Sequence, residues 1–426
     1  MNDLARSHRL IVASAIAGAV LRLAFAFVYW NNKPLTHDER EYLALAESVS
    51  AGRGFVYDAG HETGTAQQFG RAPGYPLFLA VIGAGAREHD AVPASVKIAQ
   101  SIVGALGIWI IGALARRAAG PAAGVAAAAL AAVYPPLVWI CAYVLSEALY
   151  CTLALLTVWL LDKGVDRAES AAEGAGTSSG AGLIAVAGVV AGAAILVRPA
   201  MLFFLPLAAV WLVARRHVRL AVALAVSTVL VVAPWTIRNL RVYDRFVLVA
   251  SEGGVTFWTG NHPLARGEGD LAANPDIKIA ELEFRAAHPG LTAEELEPLY
   301  YKEALARIRA HPGWWVGLLF RKAFYTVVPA GPSYALHSTL YRLSSIASYV
   351  ILLPFAFPGA RAWRRRAHRP EALFLLAASA LIVCLLFFPQ ERFRIPVIDP
   401  TLIVCAGIWY GMRASGPESR ASFMAV

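Results

Sequence analysis

Cysteine is scarce in this chain. Its four cysteines, Cys141, Cys151, Cys384 and Cys405, fall within or at the ends of apolar runs. They show neither metal-ligand spacing nor a disulfide framework, so buried free thiols are the plain reading. No glycine-rich loop stands before a Lys-Ser or Lys-Thr pair, and no His-Glu-x-x-His occurs. Phosphate cradling of the P-loop kind and zinc-protease chemistry are therefore excluded. The sequence also lacks an internal repeat and any stretch with the character of a soluble catalytic domain.

What it has in abundance is hydrocarbon. Hydrophobic residues make up 58% of the 426 positions, where a soluble chain is nearer half, and mean hydropathy is +0.54. Apolar runs occupy 10–30, 94–115, 119–137, 141–161, 181–198, 200–214, 218–236, 339–357, 371–388 and 396–413. Their lengths suit membrane spans. The expected fold is an all-α polytopic membrane protein of about ten transmembrane helices. Two further apolar stretches, 74–86 and 314–328, are too short or too interrupted by charge to cross and are read as interfacial helices. The first span resembles a signal peptide, with Arg6, His8 and Arg9 ahead of Leu10–Trp30. A signal's apolar region is only about 7–15 residues, so an uncleaved span is expected.

Net charge is +9, but its distribution argues against nucleic acid. Arg116 and Arg117, then Arg215, Arg216 and Arg219, then Arg361, Arg364, Arg365, Arg366 and Arg369 sit in short loops between spans. That is the positive-inside pattern. It places the N-terminus inside and two long loops outside. The first, 31–90, holds five basic and eight acidic residues. The expected organisation is a first span (1–30), a first extracytoplasmic loop (31–93), a bundle of about six helices (94–236), a second extracytoplasmic loop (237–338), about three C-terminal spans (339–413) and a cytoplasmic tail (414–426). Residues 168–182, rich in Ala, Gly, Ser and Glu, read as a flexible linker. Long loops are usually functional, so the outer face is the working face.

Just after the first span comes Thr36-His37-Asp38-Glu39-Arg40-Glu41-Tyr42. Helix capping explains much of it, with Thr36 as N-cap, Glu39 its capping-box partner and Asp38 complementing the dipole. Tyr42, Leu45, Ala46 and Val49 then form an apolar stripe. The same geometry would hold an acid rigidly at a membrane face, where it could deprotonate an acceptor. Asp38 and Glu39 are thus candidate catalytic residues. His37 beside them raises a divalent metal, though without ligand spacing.

Arg71, stiffened by Pro73 and Pro76, suits phosphate through its planar fork, and Tyr75 of the same run joins it as a binding candidate. Arg198, Arg238, Arg392 and Arg394 lie at outer span ends, the side that loops of positive charge avoid. Together they point to an anionic ligand, although each alone could snorkel. Trp258, Asn261 and His262 form an aromatic-polar patch suited to a sugar or to packing on the membrane surface. Arg22 and Glu147 lie inside spans, where charge is a functional signal by default. Arg22 is within reach of snorkelling, and Glu147 of hydrogen bonding within the bundle.

At these residues the chain resembles the GT-C superfamily of membrane glycosyltransferases, in the branch of the protein O-mannosyltransferases and lipid A aminoarabinose transferases. The resemblance rests on ordered motifs: Asp38, Glu39 and Tyr42; Arg71 and Pro73; Arg198 and Pro199; Pro234 to Asn239; Trp258 to Asn261; and Arg392 to Pro396. It implies a GT-C-like fold and inverting transfer of a sugar from a polyprenyl-phosphate donor to an extracytoplasmic lipid, glycan or protein, with no nucleotide sugar and no nucleotide cofactor expected. It further implies Asp38 as base, with Arg71 and Arg238 on the donor phosphate. The chain carries arginine at 71 where the aminoarabinose branch has lysine, and lacks the His-Pro-Pro stretch of the mannosyltransferases. The sugar and acceptor stay open. A bacterial inner-membrane location, with the active face outside, is the expectation. A flippase or exporter of polyprenyl-phosphate lipids is the alternative, since the same arginines would escort a phosphate.

Overall fold

The computed structural model describes residues 2–56, 70–85, 89–173, 180–269, 273–329, 331, 338–363 and 371–414. Regular structure among them is helical, without a strand. The chain begins with α1 (Asn2–Ala24), prolonged by a π-helical turn at Phe25–Tyr29, and enters a first loop carrying α2 (His37–Ser50) and α3 (Gly74–Val81). The bundle follows with α4 (Ala94–Ala119), α5 (Pro121–Val133), the short α6 (Pro135–Trp139), α7 (Glu147–Ala172) and α8 (Ala181–Val197). A 3-10 turn at Pro199–Phe203 leads into α9 (Phe204–Ala214), and α10 (Val218–Tyr243) runs on to the second loop. That loop holds α11 (Gly253–Gly260), α12 (Pro275–Ala286), α13 (Ala293–Ala310) and α14 (Pro312–Val327). The chain then forms α15 (Thr339–Trp363), α16 (Glu371–Leu386), α17 (Glu391–Arg394) and α18 (Ile398–Ala414).

Each of the ten expected apolar runs falls on a helix, so the chain is a multi-pass integral membrane protein. Five helices are long and apolar enough to cross: Leu4–Tyr29, α4, α7, α10 and α15. The shorter α5, α8, Pro199–Ala214 and α16 are equally apolar. A helix of 16 residues such as α16 reaches only about 24 Å, short of a roughly 30 Å hydrocarbon core.

Two boundaries moved, the first of them where proline intervenes. The run 119–137 stops at Val133 because Tyr134, ahead of Pro135, is extended, as a residue before proline must be. Its neighbour begins not at 141 but at Glu147, and continues to Ala172 into what the sequence suggested was linker. Of the rest of that linker, Ala181 and Gly182 open α8 and 174–179 lie outside the described residues. So do 57–69 and 86–88 of the first loop, Arg364, Arg365, Arg366 and Arg369, and the tail beyond Ala414.

The two charges expected inside spans are both accounted for. Arg22 does not snorkel. It is fully buried and donates to Gly18 O (3.0 Å), Ala132 O (3.2 Å) and Ala131 O (3.3 Å). The last two are terminal carbonyls of α5, the negative end of a helix dipole, which a cation complements. Glu147 sits at the start of α7 and pairs with Arg198 at 2.8 Å, rather than standing alone in the bundle.

Helices approach closely where one of them is bare. Gly359 of α15 lies against the Cys405 carbonyl of α18, leaving no room for a Cβ. Between α8 and α10, Thr228 Oγ1 donates to Gly188 O at 3.0 Å. Small residues at such crossings are the usual membrane solution.

Helices α11 to α14 build their own small core, with Val255, Trp258, Ile277, Leu296, Tyr300 and Leu318 buried together. The expected capping box starts α13, with Thr292 N donating to Glu295 Oε2 at 2.9 Å. Helix α14 is two-faced. Leu318, Lys322 and Thr326 are buried, whereas Val316, Phe320, Phe324 and Val327 are exposed, the pattern of a helix lying in a membrane interface. The two long loops lie at one end of the bundle. At the other end, Arg215 pairs with Glu169 (2.8 Å) and Glu371 (3.0 Å), and Arg117 with Asp166.

Candidate active site

Helix α2 sets the geometry. Thr36 caps it, and Glu39 Oε2 accepts from Thr36 N and Oγ1, both at 2.8 Å. The other Glu39 oxygen accepts from Val144 N at 2.8 Å. Glu39 is therefore buried and tied to backbone on both sides. Neighbouring residues on a helix point in different directions, so Asp38 faces elsewhere, on the side it shares with Glu41 three residues on.

Asp38 is gripped by two arginines. Arg71 Nη2 donates to its Oδ1 at 2.9 Å, and Arg392 Nη1 to its Oδ2 at 2.7 Å. Burial alone would push the Asp38 carboxyl up. The charges of Arg392 and Arg71, and the bonds they donate, outweigh it and hold the group well below the usual carboxylate range. Arg71 also donates through Nε to Glu41 Oε2 at 2.7 Å and through Nη1 to Glu252 Oε2 at 3.1 Å, and its Nη2 also bonds Glu41. Its guanidinium lies 5.3 Å from the Tyr42 ring centroid. Burial pushes the Glu41 carboxyl up, Arg71 opposes this, and the charges of Glu252 and Asp38 add to the rise.

The cluster extends through Phe393. The guanidinium of Arg198 lies 4.7 Å from that ring and Arg392 lies 5.5 Å from it. Arg198 is fixed by Glu147 at 2.8 Å and by Ser146 Oγ at 3.3 Å. One face at the loop end thus gathers Asp38, Arg71, Arg392 and Arg198 from four separate parts of the chain.

Other candidates are placed elsewhere. Tyr75 is fully buried beneath the cluster, edge-on to Tyr42 at 4.9 Å, with its hydroxyl 3.3 Å from Gln100 Oε1. Arg238 bonds Asn239 Oδ1 (3.1 Å), Tyr243 OH (3.2 Å) and Phe55 O (3.1 Å), and stacks over Trp235. Arg394 is buried against Asp399 at 2.9 Å and the Tyr349 ring at 4.0 Å. Trp258 lies in the second-loop core against Tyr300, Phe284 and His262. Asn261 is a buried junction. It donates to Phe257 O and Leu386 O, each at 2.8 Å, and accepts from Trp315 Nε1 and Lys322 Nζ, each at 3.0 Å.

Two cluster members were not among the sequence's site candidates. Glu41 stood only as the residue to turn to, with Glu39, should Asp38 fail as base, although it lies three residues after Asp38 on one helix face. Glu252 carried no signal beyond its place in a Glu-Gly-Gly turn, since only the fold brings that turn to Arg71.

The described residues show no ready-made place for a divalent ion. Both Asp38 oxygens meet guanidinium groups, and among the described residues no three His, Cys, Asp or Glu side chains converge to hold a metal. His37 is exposed at the start of α2.

Comparison with known proteins agrees with this architecture. Residues 73–237 match the family model of dolichyl-phosphate-mannose-protein mannosyltransferases. No curated protein matches by sequence. Among solved structures, the chain is similar to ArnT from Cupriavidus metallidurans bound to undecaprenyl phosphate, at 15% identity and a TM-score of 0.57. That match covers 96% of this chain and 62% of that one. It is also similar to the oligosaccharyltransferase AglB from Archaeoglobus fulgidus, in complex with an inhibitory peptide and a dolichol-phosphate. There identity is 14% and the TM-score 0.54, over 98% of this chain and 52% of that one. The chain therefore spans between about half and three-fifths of these relatives' length. The chain shares the fold of these two structures, as the resemblance to the GT-C superfamily implied.

Proposed function

We propose that this protein is a polyprenyl-phosphate-dependent glycosyltransferase working at the extracytoplasmic face of a bacterial plasma membrane. The observation that carries the reading is the Asp38 carboxylate held between Arg71 and Arg392 at the loop end of a GT-C fold. The match to a mannosyltransferase family model and the likeness to structures holding polyprenyl phosphates support it. The arginines at the opposite end support the orientation, by the positive-inside rule.

The chemistry follows from the charges. A carboxylate clamped by two guanidiniums is a weak base. The same guanidiniums, with Arg198 beside them, are the groups that a donor phosphate would engage. As the phosphate draws Arg392 and Arg71 toward itself, Asp38 loses positive neighbours and its proton affinity rises. An acceptor hydroxyl or amine then attacks the anomeric carbon and passes its proton to Asp38. The bond from that carbon to the phosphate oxygen breaks with inversion, and polyprenyl phosphate leaves with the electron pair, its charge met by the arginines.

Mass spectrometry of a deletion strain tests this reading. Polyprenyl-phosphate-linked sugar should accumulate, and one sugar should disappear from an extracytoplasmic glycan, lipid or protein. The unaltered gene should restore both and Asp38→Asn neither. Unchanged lipid-linked sugars and surface glycans on deletion would overturn it.

A further inference from the structure

Three carboxylates share the Arg71 guanidinium, and they are not equivalent. Glu41 holds Nε and Nη2 and its side chain is 6% exposed, Asp38 holds Nη2 and is 25% exposed, and Glu252 holds Nη1 and is 33% exposed. Glu41 is buried against two nitrogens and cannot leave without stranding a charge. Asp38 is shared with Arg392. Glu252 makes the longest of these contacts, 3.1 Å, is the most open to solvent, and comes from the other loop.

Its position is built by backbone. Ser251 N donates to Gly70 O at 3.0 Å, and Gly70 N donates to Ser251 Oγ at 2.8 Å. Ser251 Oγ in turn donates to Glu294 Oε1 of α13 at 3.1 Å. A Cβ on Gly70 would lie 2.8 Å from Ser251 Oγ, so the approach of the two loops depends on glycine there. The residue after Gly70 is Arg71 and the residue after Ser251 is Glu252, so the stitch delivers one to the other.

We propose that Glu252 is a positioning residue that competes with a lipid-linked phosphate for Arg71 and thereby sets donor affinity. This rests on the reading of Arg71 as a phosphate contact. The donor's phosphodiester, or the polyprenyl phosphate monoester it leaves behind, meets at Nη1 a carboxylate already bonded to that nitrogen. Two anions cannot both take one N–H at full strength, and the exposed, longer-bonded Glu252 is the one able to yield. Its yielding ties arrival of the donor to the second loop, through Ser251 and α11.

The test is binding of undecaprenyl phosphate to the purified full-length protein in detergent, followed by native mass spectrometry or thermophoresis. Glu252→Gln keeps shape and removes the competing charge, and should tighten Kd about tenfold, the scale of one charge-assisted bond regained. Glu252→Asp keeps the charge and should return affinity toward that of the unaltered protein. In turnover, Glu252→Gln should lower KM for the lipid-linked donor without raising kcat. A merely structural role predicts weaker binding instead. If the unaltered protein binds and Glu252→Gln leaves Kd unchanged or raises it, this proposal falls while the functional reading stands. If neither form binds, the functional reading falls and takes this proposal with it.

Discussion

Arg392 donates to Asp38 at 2.7 Å across 354 residues of sequence. The bond joins the short α17 near the end of the chain to the first helix after α1. It makes the acid's environment a property of the whole fold, and Asp38→Asn separates its proton chemistry from its shape. Asparagine keeps the shape and one acceptor oxygen for the arginines but cannot take the proton. Transfer should fall by about two to four orders of magnitude while expression persists. Ordinary turnover by the purified variant would remove Asp38 from the chemistry.

The clamp also has a signature in stability. The Asp38 pKa is depressed in the folded state, so its contribution is fully present above the unfolded value near 3.9. It is lost as pH falls toward the lower folded value. The gap in melting temperature between the unaltered protein and Asp38→Asn should stay constant from about pH 8 to pH 5 and narrow below about pH 4. A gap that narrows already at neutral pH would contradict the clamp.

The pair of Arg198 and Glu147 should behave differently from a surface pair. The Glu147 side chain is 3% exposed, so Arg198→Ala leaves a buried charge without its partner and should cost about 3–5 kcal/mol. Adding Glu147→Gln should recover much of that loss. Thermal unfolding of the single and double variants measures the coupling.

Glu297 gives a pH dependence of opposite sign. Burial pushes its carboxyl up to about 7, with the Gly254 N–H opposing and Glu294 and Glu252 adding to the rise. A carboxyl raised in the folded state holds its proton there after the unfolded chain has released it. Stability should therefore decline as pH rises from about 4.3 to 7. Glu297→Gln can still accept from Gly254 N, so it should flatten this decline and melt higher than the unaltered protein at pH 8. A lower melting point there would argue that the carboxylate form is the stabilising one.

Much of the fold was legible because membrane spans announce themselves by length and hydropathy. Proline at 135 displaced the end of one run, a local effect that a hydropathy window smooths over. The motif around Asp38 was legible because helix capping has a fixed spacing, and it appears as read, with Glu39 on Thr36. The second Glu39 oxygen was not legible. It accepts from Val144 N, a residue about a hundred positions away, so Glu39→Gln cannot keep both bonds and is no neutral substitution. Apart from Arg71, a loop residue stiffened by proline, the arginines read alike in sequence, each at a span end. The fold distinguishes them by partner: Arg71, Arg392 and Arg198 meet in one cluster, while Arg238 takes the Phe55 carbonyl and Arg394 takes Asp399. Such pairings depend on which loop ends meet, which no local pattern encodes.

The long reach between Asp38 and Arg392 also orders the protein's birth. At about 5–20 residues per second, a ribosome needs on the order of tens of seconds after releasing Asp38 before Arg392 appears. Through that interval the nascent first loop already holds Asp38, Glu41 and Arg71, later joined by Glu252, with acid in excess over base. Arg392 arrives only after α16 has emerged, and its guanidinium reduces that imbalance. The cluster is therefore completed long after its first residues are laid down, and a chain stalled before α17 would leave Asp38 with Arg71 alone of its two arginines.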